Sequence, residues 1–229
     1  MKRFWIVCLW IGFALICIPI HSQEHKRPII VLDPGHGGVD PGAIGINGIM
    51  EKDIVLEVAK EAIRLNRELF GNTLDIYLTR YNDTLISLGD RTKLVKALNP
   101  DFIISIHCNQ ADRREAQGIE VYVQQPNSKT NSYLRSKSEN LGESLLSEFD
   151  RALGVKIRGL KYANFQVLRD TQDICPGVLL ELGFLSNWEE AEHSRKKASV
   201  RGYGMVILQI LLYTLESKKI RLLFPAEKN

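Results

Sequence analysis

Four residues of this chain have types and positions that suit hydrolysis at a metal. His36 sits in a glycine-rich turn, Asp33-Pro34-Gly35-His36-Gly37-Gly38-Val39-Asp40-Pro41-Gly42, directly after a short apolar run. Glycines remove side-chain bulk there and let the backbone approach a bound group closely. The spacing is not that of a dinucleotide or phosphate loop. The third glycine of G-x-G-x-x-G falls on Asp40, and no Gly-Lys-Ser/Thr follows. His36 therefore reads as a ligand or catalyst, or as a histidine capping a turn. Glu51 opens a helix, a place where an acid also simply complements the helix dipole. His107 closes the apolar run Phe102 to Ile106. Glu181 interrupts Val178-Leu179-Leu180 and Leu182-Gly183-Phe184-Leu185. A carboxylate inside such a strand carries a desolvation cost unless it is paired, protonated or beside a metal. A buried ion pair to an arginine such as Arg80 is the structural alternative.

Taken together, the four make chemical sense. Two histidines and one carboxylate form a catalytic zinc set that leaves a fourth position for water. Zinc lowers the pKa of that water toward ~7 and polarises a carbonyl. A second carboxylate nearby can take the water's proton and pass it to a leaving amine. This is the chemistry of an amide hydrolase. H-E-x-x-H spacing is absent, which excludes the ordinary zincin proteases.

Ligands drawn from separate segments require a scaffold that gathers strand ends. Pro28 to Leu32, Asp101 to His107 and Val178 to Leu182 are continuous apolar runs, as expected of strands buried on both faces. Leu74 to Thr79 and Phe165 to Arg169 read as further strands. Ile119, Val121 and Val123 alternate with polar residues, which predicts a half-exposed strand. Helices are expected over Glu51 to Phe70, Ser87 to Leu98, Tyr133 to Leu153 and Val200 to Glu216, with Gly71-Asn72 and Asn99-Pro100 as stops. About six strands interleaved with about five helices predict a single α/β domain with a mostly parallel, twisted sheet over 28–217, then a tail over 218–229. The carboxyl ends of such strands are where ligands bind.

The 229 residues carry a net charge of +3, with 45% hydrophobic and 25% charged residues. That is ordinary globular composition, which excludes disorder and disulfide-dense miniproteins. It gives no electrostatic case for nucleic acid. Lys2 and Arg3 precede an apolar stretch from Phe4 to Ile20, and Ser22 is a small residue suited to a cleavage point. The segment 1–22 is thus expected to be an export signal, with an uncleaved signal anchor as the alternative. Its removal leaves about 207 residues, a charge of about +1, and two cysteines, Cys108 and Cys175. Both read as buried small apolar residues, or as a disulfide pair if their strands are adjacent. The basic residues Arg151, Lys156, Arg158 and Lys161 read as a solvated helix end or as a groove lining.

Four sequence blocks also carry a family resemblance. Val31-Leu32-Asp33-Pro34-Gly35-His36-Gly37-Gly38-Val39-Asp40-Pro41-Gly42-Ala43 with Glu51-Lys52-Asp53 resembles the opening motif of zinc-dependent N-acetylmuramoyl-L-alanine amidases. Ser105-Ile106-His107-Cys108-Asn109 is similar to their second histidine motif. Asn164 to Arg169 and Leu180 to Asn187 are similar to their last two blocks. The resemblance runs in order over Pro28 to Leu215. It implies a six-stranded sheet flanked by helices, zinc held by His36, Glu51 and His107, and Glu181 as the catalytic carboxylate. It also implies cleavage of the amide between N-acetylmuramic acid and the L-alanine of the peptidoglycan stem peptide, in the periplasm or cell envelope. Some members need an envelope activator that moves an inserted helix off the zinc. The stretch from Asp112 to Ala163 looks too short for such an insertion, which predicts an open groove. Another cell-envelope zinc peptidase, or a non-catalytic wall-binding protein on the same fold, remain alternatives. No wall-binding repeat is legible.

Overall fold

A computed structural model describes residues 26–127 and 130–223. The expected export signal, 1–22, lies outside the described residues, as does the end of the tail, 224–229.

Six strands form one sheet: β1 (Ile29–Pro34), β2 (Asp75–Leu78), β3 (Phe102–Asn109), β4 (Ile119–Gln124), β5 (Ile157–Ala163) and β6 (Gly177–Phe184), in the order β2-β1-β3-β6-β4-β5. All neighbours are parallel except β4 and β6, so the sheet is mostly parallel, as expected, with one antiparallel pair. Among the described residues six helices accompany the sheet: α1 (Glu51–Leu69), α2 (Leu88–Leu98), α3 (Ser132–Leu153), α4 (Gln166–Arg169), α5 (Trp188–Ser194) and α6 (Lys197–Leu223).

The apolar runs bury both faces because successive side chains point to opposite sides. Ile30, Leu32, Ile104, Ile106, Val178 and Leu180 enter a large core with α1, α3 and α6. Val31, Ile103 and Leu179 enter a smaller one with Val95 of α2 and Val167 and Leu168 of α4. The 3.6-residue stripe of α1, with Ile54, Val55, Val58, Ala59, Ala62 and Leu65 buried, is what seats it on the first core. Between Lys197 and Glu216, α6 is long and apolar enough to cross a membrane, yet Tyr203, Val206, Ile207, Leu208 and Leu211 are core residues here. It continues to Leu223, beyond the expected stop at Glu216.

Three expectations need correction. Phe165 to Arg169 is not a strand: Gln166–Arg169 is a helical turn, and the strand precedes it as β5. Its β-prone Phe-Gln-Val pattern yields to tertiary packing of Val167 and Leu168 against α2's face of the sheet. Strand β4 is not half exposed, because its alternate polar residues Glu120 and Gln124 are buried too. Finally, Arg158 and Lys161 lie on β5 rather than at a helix end.

Candidate metal centre

His36 is delivered by the turn that leaves β1, in a conformation few side chains adopt: its φ is 57°. Two buried arginines hold that turn by its carbonyls. Arg80, just after β2, donates through Nε to Pro34 O (3.0 Å) and through Nη2 to Gly35 O (2.8 Å). Arg91 of α2 donates to Pro34 O (2.8 Å) and His36 O (2.7 Å). Arg91 also pairs with Asp33 Oδ1 at 2.6 Å, both side chains being almost fully buried. Thr79 Oγ1 and Ser105 Oγ donate to the same carboxylate, each at 2.6 Å. Burial alone would raise the Asp33 pKa; the Arg91 charge and these hydrogen bonds outweigh it and hold it below the usual range.

A stability prediction follows from that pair. Arg91→Ala leaves a buried carboxylate uncompensated, and a loss of about 3–5 kcal/mol at neutral pH is expected, measured by urea unfolding. Because the folded pKa of Asp33 is depressed, its contribution is present above the unfolded value, about 3.9. It is lost as pH falls through the folded value. The wild-type curve therefore declines at acid pH below about 4, and in Arg91→Ala this component of the decline disappears.

Within the turn, His36 Nδ1 donates to Asp40 Oδ2 at 2.8 Å, which fixes the ring and aims Nε2 inward. There Nε2 lies 3.1 Å from Glu51 Oε1, and His107 Nδ1 lies 2.9 Å from the same oxygen. The two imidazoles meet edge to face, with centroids 5.1 Å apart at 80°. Glu51 sits at the first turn of α1, 3% exposed. The backbone N–H of Cys108 also donates to Oε1 (3.0 Å), and that of Ala43 to Oε2 (2.7 Å). Two glycines leave room for this convergence. A Cβ at Gly35 would stand 2.2 Å from His107 Cε1, and one at Gly42 2.4 Å from Glu51 Oε2.

Burial would raise the Glu51 carboxyl, yet hydrogen bonds from His107 and His36 and the backbone bond from Ala43 bring it down to about 2. In return, the hydrogen bond to Glu51, opposed by partial burial and aided by Asp40, raises His36 to about 9. A carboxylate is thus held ionised with a proton shared beside it. The donor atoms of His36, Glu51 and His107 all lie within 4.8 Å of one another. Two imidazole nitrogens and one carboxylate oxygen suit zinc, so the residues present fit the metal that the donor pattern implies.

Glu181 lies on β6 directly opposite His107 of β3, on the same face of the sheet. Its Oε2 is buried without a hydrogen-bond partner. Burial raises its pKa to about 7, with Glu51 and Glu120 adding to the effect and His107 opposing it. Arg80, the alternative partner, is instead committed to the His36 turn. Opposite Glu181 on its other side stands Glu120 of β4. Like charges directly opposed on a sheet are unfavourable, and the pair is resolved by environment. Glu120 accepts from Arg158 Nε, Lys161 Nζ (2.6 Å), Tyr122 Oη (2.7 Å) and Asn109 Nδ2 (3.1 Å). Burial raises its pKa, and these partners more than offset that. One carboxylate is kept charged and the other is left poised near neutrality, the arrangement expected where acid and base roles are divided.

All four residues singled out from the sequence therefore converge at the carboxyl edge of β1, β3 and β6. Cys108 points into the large core, Cys175 into the small one, and both are free thiols. Asp40, Arg91 and Glu120 carry structural duties in the site that sequence reasoning missed. Asp40 alone had a local signal, an acid four residues beyond His36 in the same turn.

The profile of a family described as N-acetylmuramoyl-L-alanine amidase matches residues 30–209. N-acetylmuramoyl-L-alanine amidase LytC of Bacillus subtilis (strain 168) is 35% identical over 174 residues, 74% of this chain and 33% of its own length. The probable cell wall amidase LytH of Staphylococcus epidermidis is 38% identical over 170 residues, 73% of this chain and 52% of its own. The chain thus spans a third to about half of the length of these curated relatives. Among solved structures, the catalytic domain of the amidase CwlV from Bacillus (Paenibacillus) polymyxa var. colistinus superposes with a TM-score of 0.73 at 30% identity. That match covers 83% of this chain and 99% of CwlV's. An N-acetylmuramoyl-L-alanine amidase from Clostridium difficile 630 gives 0.75 at 29%, covering 84% and 98%.

Proposed function

This chain belongs to the N-acetylmuramoyl-L-alanine amidase family, and from that premise we propose that it is a zinc-dependent peptidoglycan hydrolase of the cell envelope. It would cut the amide between N-acetylmuramic acid and the L-alanine of the stem peptide. The observation that carries the reading is the convergence of His36, Glu51 and His107 beside a buried, unpartnered Glu181 carboxylate. The near-complete overlap with solved amidase catalytic domains supports it. So does the naming of a relative as a probable cell wall amidase, which also supports action outside the cytoplasm.

In this mechanism His36, Glu51 and His107 would hold the metal, and Asp40 fixes the His36 ring. When bound, zinc supplies Lewis acidity, polarising a carbonyl and easing deprotonation of water. Glu181 takes the proton from the attacking water at its unpartnered Oε2. It then delivers that proton to the amide nitrogen as the C–N bond breaks, leaving a carboxylate on the lactyl group and a free amine on alanine. A raised pKa suits both halves of that transfer. Glu120, held ionised by its two cations, stays out of the proton transfer and keeps Glu181 from ionising too readily.

From Asp112 to Ala163 the described residues form β4, α3 and β5 with no helix besides α3, which supports an open groove that works without an envelope activator. The test is digestion of purified sacculi by the zinc-loaded chain alone, read by mass spectrometry. Free stem peptides beginning with L-alanine are the expected product. Cuts within the stem peptide would make it a peptidase instead, and digestion only on addition of an activator would overturn the open groove.

A further inference from the structure

Across the carboxyl edge of β3 and β6 the sheet sets His107, Glu181 and Glu120 in one row, each opposite the next. The row continues onto β5, where the register slips. Ile119 pairs with Ile157, but Glu120 pairs with Gly159, so Arg158 is the extra residue of a bulge. Bulges re-aim side chains, and Arg158 folds over the Phe184 ring, 4.9 Å from its centroid. Lys161 stands 5.8 Å from the Tyr122 ring centroid. Both cations reach the same oxygen, Glu120 Oε1.

Two features go beyond a structural ion pair. Both cations share a single oxygen of one carboxylate, Glu120, with Glu190 near enough to feel the Arg158 charge. The Glu120 side chain is 2% exposed while those of Arg158 and Lys161 are 34% and 39% exposed. The anion is therefore the buried anchor, and the cations form an open shelf above it. Among the described residues, the Arg158 terminal nitrogens have no protein acceptor, and Lys161 Nζ bonds to Glu120 only. Free guanidinium N–H groups in a fixed fork match a carboxylate.

We propose that Arg158 and Lys161 form a subsite for a carboxylate of the stem peptide, placed to hold the peptide on the leaving side of the cut amide. This rests on the amidase reading above. Strands stand about 4.8 Å apart, so β5 lies two strands, about 10 Å, from Glu181. Extended peptide covers about 3.3–3.6 Å per residue, which brings the second or third stem residue onto the shelf. Glu120 is a positioning residue: it touches no substrate and sets the two cations.

The experiment uses paired synthetic N-acetylmuramoyl tripeptides that differ only in one group, carboxylate or carboxamide, at the second or at the third residue. With the zinc-loaded wild type, the acidic peptide should show a KM lower by about 10–100-fold, the range of a charge-assisted contact, at one of the two positions. Arg158→Gln and Lys161→Gln should abolish that difference, read as the ratio of the two KM values within each variant. Lys161→Arg should restore it. Equal KM values for acid and amide at both positions in the wild type, or an undiminished preference in Arg158→Gln, would overturn the subsite. Should either variant fail to fold, Glu120→Gln combined with Lys161→Gln removes the anchor and one cation together and is scored in the same way. Calorimetric binding of the free product peptides, acid against amide, tests the shelf without turnover. Acid-selective binding by a wild type that cleaves neither substrate would sink the amidase reading and leave the subsite standing.

Discussion

Glu181→Gln should lower turnover by about 10²–10⁴-fold, the usual worth of a positioned acid–base group, with zinc content unchanged from wild type. The substitution keeps size and hydrogen-bonding capacity and removes only the ability to carry the proton. Glu181 supplies no atom to the His36, Glu51 and His107 cluster, so the metal should stay. The same change should stabilise the metal-free protein at neutral pH. The folded pKa of Glu181 is raised to about 7 by burial, above an unfolded value of about 4.3. A carboxyl raised in this way favours the fold while protonated, and that advantage is lost as pH rises from the unfolded value through 7. Glutamine stays neutral throughout, so its melting temperature should exceed the wild type's at pH 8 and converge with it at pH 4. Activity down and stability up is the signature of a residue kept for chemistry. Full turnover by Glu181→Gln would remove it from the mechanism. Lower stability at pH 8 would show the carboxylate to be structurally paired after all.

The split between what the sequence revealed and what it hid has a physical basis. Strands buried on both faces print a continuous apolar run, so β1, β3 and β6 were legible, and a charge inside such a run, Glu181, stood out. Histidines at the ends of those runs were equally visible, because the carboxyl edge of a parallel sheet is where the chain turns toward ligands. What stayed hidden depends on pairings distant in sequence. Glu120 reads as an ordinary outward residue of an alternating strand, and only the packing of β4 between β5 and β6 buries it. Arg91 reads as a helix surface residue, and only the fold shows it reaching 58 positions back to Asp33. The bulge that turns Arg158 is a register event between strands, without a local sequence mark beyond Gly159. The helical turn at Gln166 was misread because a four-residue helix has too little length to express a period.

Removing one of the three proposed metal ligands should abolish activity altogether, and the three should fail in distinguishable ways. His107→Ala and His36→Ala each leave two donors, and zinc binding and sacculus digestion should both fall to background, as they should for wild type treated with a chelator. Glu51→Gln is expected to lose zinc and also to change how protons move on binding. In the metal-free protein the Glu51 carboxylate, the largest influence on His36, raises that imidazole to about 9. Zinc can bind only when His36 gives up this proton. Zinc affinity should therefore rise with pH up to about 9 and level off beyond it. Binding at pH 7 should release about one proton from His36, measurable by calorimetry in buffers of different ionisation enthalpy. In Glu51→Gln the anionic partner is gone, so the His36 pKa should fall and any residual binding should release fewer protons at the same pH. Asp40→Asn should show an intermediate pattern, since it loosens one imidazole without removing a donor, and outer-shell partners of this kind are typically worth 10–100-fold in metal affinity. A chain that digests sacculi after its metal has been stripped would contradict the whole scheme. Zinc binding that is independent of pH between 6 and 9 would instead contradict only the coupling of Glu51 to His36.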